Sequence, residues 1–351
     1  NMFERLHPFM IMGLIMIIAT AIVVLIGLSY NYFDELSVTL EASDHERGEF
    51  NRQAVSLLRT GTFNNGGPGF TTNMLRGPGY IITLAGSFFL FGETLGAIYA
   101  LNFFFFILSL WILWRVSIHI LPGRWAFLPS LMTAMFLGYD THVWTRNYEL
   151  YVLFMSLFSL KGFLRYYDTR SPLWLAVGTA AYGLWILEKP IMLYSIPFVF
   201  FILLFWHKRL FQKKEIFVYA VIFAFVLASV AGLWMMRNLV VLGTLQLGTG
   251  GHSILRRASQ VNYSPSHLAA IAMSFSLGDV IASKIHPAYP ADGKPAYWDP
   301  AIESRWYQRG WYITEPNGEV ITRMELDRRM YKEAFANILR EPLKFLLSSP
   351  L

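Results

Sequence analysis

The chain opens with an uninterrupted apolar run, residues 8–30, that carries no charge and is long enough to cross a bilayer. A spanning α-helix needs about 20 mostly apolar residues. In hydrocarbon every backbone N–H and C=O must be satisfied within the protein, which leaves helices and closed barrels as the only spanning structures. The run is too long for a signal-peptide core and lacks a small-residue cleavage site, so it reads as a retained anchor. Six further apolar runs follow at 97–114, 125–139, 148–163, 172–187, 191–206 and 216–236. The expected fold class is therefore an all-α polytopic membrane protein with about seven transmembrane helices.

Composition agrees with this reading. Of 351 residues, 55% are hydrophobic, 17% aromatic and only 15% charged, too apolar for an ordinary soluble domain. The formal charge of +6 does not point to nucleic acid, because Lys and Arg gather in short clusters between the apolar runs. Cysteine is absent, which excludes disulfides, thiolate nucleophiles and thiolate metal sites.

The cation clusters orient the chain. Segments 115–124, 161–170 and 207–214 are rich in Lys, Arg and His, and placing all three in the cytoplasm fixes the parity of the spans. The loop holding Asp44, residues 139–147, Glu188-Lys189 and everything after Arg237 then share the outer face. The short apolar segment 80–91 does not fit as a span, since counting it would reverse every later loop. Its length matches an interfacial or re-entrant helix. The first outer loop thus covers 31–96. Within it Phe50, Ala54, Leu57 and Leu58 repeat at i, i+4, i+7 and i+8, which predicts an amphipathic helix over 46–60 ended by Gly61.

Chemistry concentrates in this loop. Ser43-Asp44-His45-Glu46-Arg47-Gly48-Glu49 brings three carboxylates to the membrane surface, and acids kept beside lipid mark functional sites. The same residues also read as helix punctuation: Ser43-x-x-Glu46 is a capping box and Asp44 a good N-cap. Capping alone does not account for Arg76, Arg146, Lys189 and Arg237, four cations on the face that positive-inside sorting depletes. Guanidinium and ammonium groups at a partly dry surface bind phosphate, although Lys189 and Arg237 also suit simple helix-end anchoring. Acids with cations suit general-base displacement of a lipid phosphate from a sugar carbon. His45, His142 and His252 show no metal-motif spacing, so no cofactor is required, while a divalent cation remains compatible.

The order Asp44, Ala54-Val55-Ser56-Leu57-Leu58-Arg59-Thr60-Gly61, Arg76-Gly77-Pro78-Gly79-Tyr80, Leu90-Phe91-Gly92, Lys189-Pro190 and Trp234-Met235-Met236-Arg237-Asn238 resembles the GT-C glycosyltransferases. The likeness is greatest to the protein-mannosyltransferase and aminoarabinose-transferase-like group. It implies a GT-C-like module over 1–236 and an extracytoplasmic loop over 237–342 that covers donor and acceptor; the apolar residues of 343–351 themselves read as the start of a further, truncated transmembrane helix. The resemblance further implies sugar transfer from a polyprenyl-phosphate donor to an extracytoplasmic protein, lipid or glycan acceptor, at the outer face of a bacterial or archaeal cytoplasmic membrane. Asp44 is the implied catalytic acid; Glu46 fits the family spacing better and Glu49 matches other branches. Arg76, where the family has Lys, joins Arg146, Lys189 and Arg237 as implied phosphate ligands. A second outer-loop acid would be Asp140 or Glu149. A multispanning transporter or a non-catalytic membrane subunit is the alternative class; a transporter would place charges near midplane in broken helices, whereas these runs carry charge mainly at their ends.

In the tail, 311–314 and 320–322 joined through Pro316-Asn317-Gly318 predict a hairpin, and 324–339 an amphipathic helix stopped by Pro342.

Overall fold

The computed structural model describes residues 8–40, 48–63, 77–136, 140, 142–144, 148–206, 213–242, 245, 247, 255, 258, 312–315 and 317–342. The chain divides into two compact units, Asn1–Gly66 with Thr72–Gly248, and Gly67–Thr71 with Thr249–Leu351. Both are predominantly helical among the described residues.

The first unit begins with α1, Pro8–Ser29, whose sequence is apolar on every face. Met12, Ile15, Ala19 and Val23 recur at helical spacing and are buried, while Phe9, Leu14, Ile17 and Leu25 are exposed on the other side. A helix that packs one apolar stripe and leaves another uncovered is suited to lipid. Helix α2, Gly48–Thr60, then α3, Pro78–Phe91, and α4, Leu95–Ile120, follow. Helix α3 starts with Pro at its first position and ends at Gly92, whose φ of 82 only glycine tolerates easily. Helices α5, Leu128–Ala134, α6, Glu149–Thr169, α7, Pro172–Glu188, and α8, Ile196–Trp206, continue the chain. Helix α9, Lys213–Leu227, runs through a π-helical turn at Ala228–Gly232 into α10, Leu233–Leu242.

Three helical stretches among the described residues are long and apolar enough to cross a membrane: Phe9–Ser29, Leu95–Ile120 and Phe217–Val240. The run 125–139 is shorter in helix than its apolarity suggests. Pro122 precedes a 3-10 turn at Gly123–Trp125, and Pro129 lies in the first turn of the 7-residue helix that follows. Run 191–206 likewise begins as a 3-10 segment, Pro190–Ser195, before Pro197 starts α8. Proline lacks the N–H that would continue the preceding turn.

The interior rests on close helix contacts and a few buried polar ties. Asn102, fully buried in α4, accepts from the Tyr80 hydroxyl at 3.3 Å. The Trp144 indole donates to the Val23 carbonyl at 2.9 Å and its ring stacks on Tyr32 at 5.4 Å. Where α6 meets α7, Gly162 and Gly178 bring the two backbones into direct approach, and the Ser159 hydroxyl donates to the Gly178 carbonyl at 2.9 Å. Small residues at such crossings let helices in lipid gain packing that lipid itself cannot supply.

In the second unit β1, Tyr312–Thr314, pairs antiparallel with β2, Val320–Thr322, with Ile313 opposite Ile321. Helix α11, Arg323–Arg340, is capped by the Thr322 hydroxyl, which accepts from the Glu325 N–H at 3.2 Å. It buries Leu326, Met330 and Ala334 along one stripe, and Arg329 holds both carboxylate oxygens of Glu319 at 2.7 Å. The hairpin and amphipathic helix lie where the turn and periodicity signals put them. The expected further helix at 343–351 lies outside the described residues.

Gly162→Val should force α6 from α7, because a Cβ there would stand 2.6 Å from the Gly178 Cα. Overpacking of this kind costs about 1–3 kcal/mol. A lowered melting temperature of the detergent-solubilised protein checks it; an unchanged one would show that the helices separate freely.

Candidate functional site

The candidate residues with the most informative geometry sit where the starts of α3 and α6 meet the end of α7. Helix α3 has Gly77 at its N-cap, which offers no side chain to its first turn. The unsatisfied Tyr80 N–H is taken instead by Glu188, whose Oε1 accepts it at 2.9 Å from the last residue of α7. A carboxylate at a helix N-terminus satisfies an orphan donor and offsets the positive end of the helix dipole. Both glycines are needed for this approach. A Cβ on Gly77 would collide with the Leu187 carbonyl, and one on Gly79 with the Tyr151 hydroxyl and Glu188 Oε1. Glu188 is buried, 6% exposed.

Lys189, the next residue, turns to the start of α6. Its Nζ donates to Glu149 Oε1 at 2.9 Å and lies 4.8 Å from the centre of the Tyr148 ring. Burial alone would lower the Lys189 ammonium, but Tyr148 and Glu149 together outweigh it and hold the group above its ordinary value, fixing it as a cation. The pair is about one-third exposed.

The same corner receives the start of α2. The Phe50 ring lies 5.0 Å from Tyr148 and 5.5 Å from Tyr80. Because Phe50 directly follows Glu49, the first turn of α2 is fastened beside the Glu149–Lys189 pair. Arg59 holds the other end of α2 through Glu93, its Nε donating at 3.0 Å. The amphipathic pattern is followed by Phe50 and Ala54, which are buried, while Leu58 is exposed. Asn51 and Gln53 are buried as well. Gln53 Nε2 has no hydrogen-bond partner among the described residues.

Asp140 is a different kind of acid. It is completely buried in the stretch before α6, and neither carboxylate oxygen is hydrogen-bonded among the described residues. Burial pushes its carboxyl from 3.8 up to about 7. Arg237 occupies separate ground on α10: it donates to the Asn238 side-chain oxygen at 2.8 Å and lies over the Trp234 ring at 4.7 Å. Trp234 in turn meets Phe63, just beyond the far end of α2. The structure therefore gathers Glu149, Lys189 and the α2 start, and gives Arg237 a setting near the opposite end of that helix.

Asp44, Glu46, Arg76 and Arg146 lie outside the described residues, as does the side chain of Glu49. Among the described residues no group of three His, Asp or Glu is placed to hold a metal ion. Sequence reasoning missed Glu188, although an acid ending an apolar run beside a cation was a usable signal. It also passed over Tyr148 and Phe50, aromatic residues indistinguishable in sequence from packing or lipid-facing ones.

No family model, curated protein or solved structure matches this chain.

The Asp140 pH dependence has a definite sign. The neutral carboxyl contributes stability that is complete below about pH 4 and lost as pH rises through about 7. Asp140→Asn, which keeps the neutral shape, should therefore stabilise the protein at pH 8 by on the order of 4 kcal/mol and change little at pH 4. Melting curves of both proteins across that range read it out; parallel curves would place Asp140 in contact with water or a cation.

Proposed function

We propose that the chain is a membrane glycosyltransferase of GT-C type, which moves one sugar from a polyprenyl phosphate to an acceptor on the extracytoplasmic face. One observation carries the reading. The first turn of α2, which follows the acidic loop, is tied through Phe50 to Tyr148 and so to Lys189. In the same corner Glu188 anchors the α3 turn that directly follows Arg76. The start of α2, where the acidic stretch of the first loop ends, thus shares one corner with a cation from a distant helix end.

The chemistry follows from that arrangement. Asp44, Glu46 or Glu49 takes the proton of the acceptor hydroxyl as its oxygen attacks the sugar carbon. The bond from that carbon to the phosphate oxygen breaks, and polyprenyl phosphate departs as an anion. Lys189, Arg76 and Arg146 stabilise the charge that develops on it, with Arg237 serving the phosphate or the lipid chain side. Asp140 or Glu149 is the second acid; Glu149 already orients Lys189. A divalent cation is compatible with the carboxylates of the loop. The donor enters sideways from the bilayer, which places the site at the interface. The full proposal has about seven spanning helices, with the shorter helices α5 to α8 completing the set begun by the three long ones.

Single replacements Asp44→Asn, Glu46→Gln and Glu49→Gln test the base, because an amide at a cap position keeps most of its structural value while accepting no proton. Transfer is measured with the purified full chain and a panel of polyprenyl-phosphate sugars. One of the three should lower kcat by about 10²–10⁴-fold, and Lys189→Met should raise the donor KM. Full turnover in all three acid variants removes the general-base assignment.

A further inference from the structure

Helices α4 and α6 run parallel, since Phe105 meets Tyr151 at 5.3 Å and, some ten residues on, Lys161 Nζ donates to the Arg115 carbonyl at 3.4 Å. Their C-terminal ends therefore lie together, away from the corner formed by Glu149 and Lys189. There Lys161 Nζ also approaches His119 Nε2 at 2.8 Å. An ammonium group only donates, so Nε2 accepts and the imidazole is neutral with its proton on Nδ1. That proton points at Asp168 Oδ2, 3.4 Å away. The chain Asp168–His119–Lys161 holds the ammonium in place without neutralising it, because its immediate partners are a neutral ring and a carbonyl. Arg115 and Arg165 are near enough to act electrostatically on both Lys161 and His119. Among the described residues no carboxylate forms an ion pair with Arg115, Lys161 or Arg165.

Arg115, Lys161 and Arg165 put three cations on two adjacent helix ends against one carboxylate, Asp168, whose direct contact is the His119 ring; the excess positive charge favours an anion. Helix α4 has 26 residues, about 39 Å at ~1.5 Å per residue. That exceeds a hydrocarbon core of about 30 Å, so its last turns, with Arg115 and His119, reach headgroup depth. Ile118 and Ile120 are exposed beside them and offer an apolar track for acyl chains. We infer that the inner ends of α4 and α6 form a binding site for the phosphate of an anionic phospholipid headgroup, held by Arg115, Lys161 and Arg165. Basic pockets between helices on the cytoplasmic side take such headgroups. Arg165, which is exposed, supplies the outermost contact, and Lys161 the innermost.

The test uses the full chain purified from bilayers of equal phosphatidylglycerol and phosphatidylcholine, with retained lipid counted by native mass spectrometry. Wild type should keep phosphatidylglycerol selectively. Removing one cation should weaken retention about five-fold, and the Lys161→Met, Arg165→Gln double variant about thirty-fold. Arg165→Lys should restore it, and Lys213→Gln with Lys214→Gln, in another cytoplasmic cluster, should leave it unchanged. If the double variant fails to fold, Arg165→Gln alone, at an exposed position, carries the measurement. Equal retention of both lipids, no loss in Arg165→Gln, or the same loss in the Lys213 and Lys214 variant would overturn the site. Displacement of the lipid by millimolar inorganic phosphate would reassign it to a free anion.

Discussion

The hydrogen bond from the Tyr80 N–H to Glu188 is the contact on which the corner between α3, α6 and α7 depends. Burying a carboxylate is costly unless its oxygens meet donors, and the start of α3 supplies one because Gly77 leaves that turn uncapped. The two glycines remove the bulk that would otherwise hold α3 and α7 apart. Once Glu188 is fixed, Lys189 must leave α7 in one direction, toward Glu149 and Tyr148. Phe50 then has a formed aromatic surface to pack on, and the start of α2 has an address.

Much of this scaffold was legible in the sequence because bilayer physics writes itself in long, simple signals. The runs of α1 and α4 were plain from length, the short α3 from its glycine and proline flanks, and the hairpin and α11 from turn chemistry and helical spacing. Prolines 129 and 197 fell inside apolar runs, where hydropathy outweighed their effect on helix length. The pattern Phe50, Ala54, Leu57 and Leu58 foresaw a two-faced helix. It missed that Asn51 and Gln53 would be buried as well, because cover supplied by other segments leaves no periodic trace in the helix it encloses.

For the candidate site the sequence offered residue types and sides of the membrane, and no distances. Lys189 was visible as a cation on the wrong face; its bond to Glu149, 40 residues earlier, was not. Glu188 was visible as an acid closing an apolar run, but its partner, the Tyr80 N–H 108 residues earlier, was not. The structure separates Glu188 from Lys189: the carboxylate serves α3, while the ammonium serves α6. Asp140 shows the converse. The sequence offered it as a candidate second acid without its surroundings; it is wholly enclosed, and burial governs which protonation form it prefers.

The sequence distance spanned by the Tyr80–Glu188 bond, 108 residues, orders the events of biosynthesis. Helices α6 and α7 are joined by a tight turn at Arg170 in the left-handed region and touch through Gly162 and Gly178. Such a local pair closes a short loop and associates early. Helix α3 leaves the ribosome long before its acceptor exists, so its first turn stays open until α7 has been made and inserted. This corner is thus a late product of assembly, absent from every nascent chain shorter than its own Glu188.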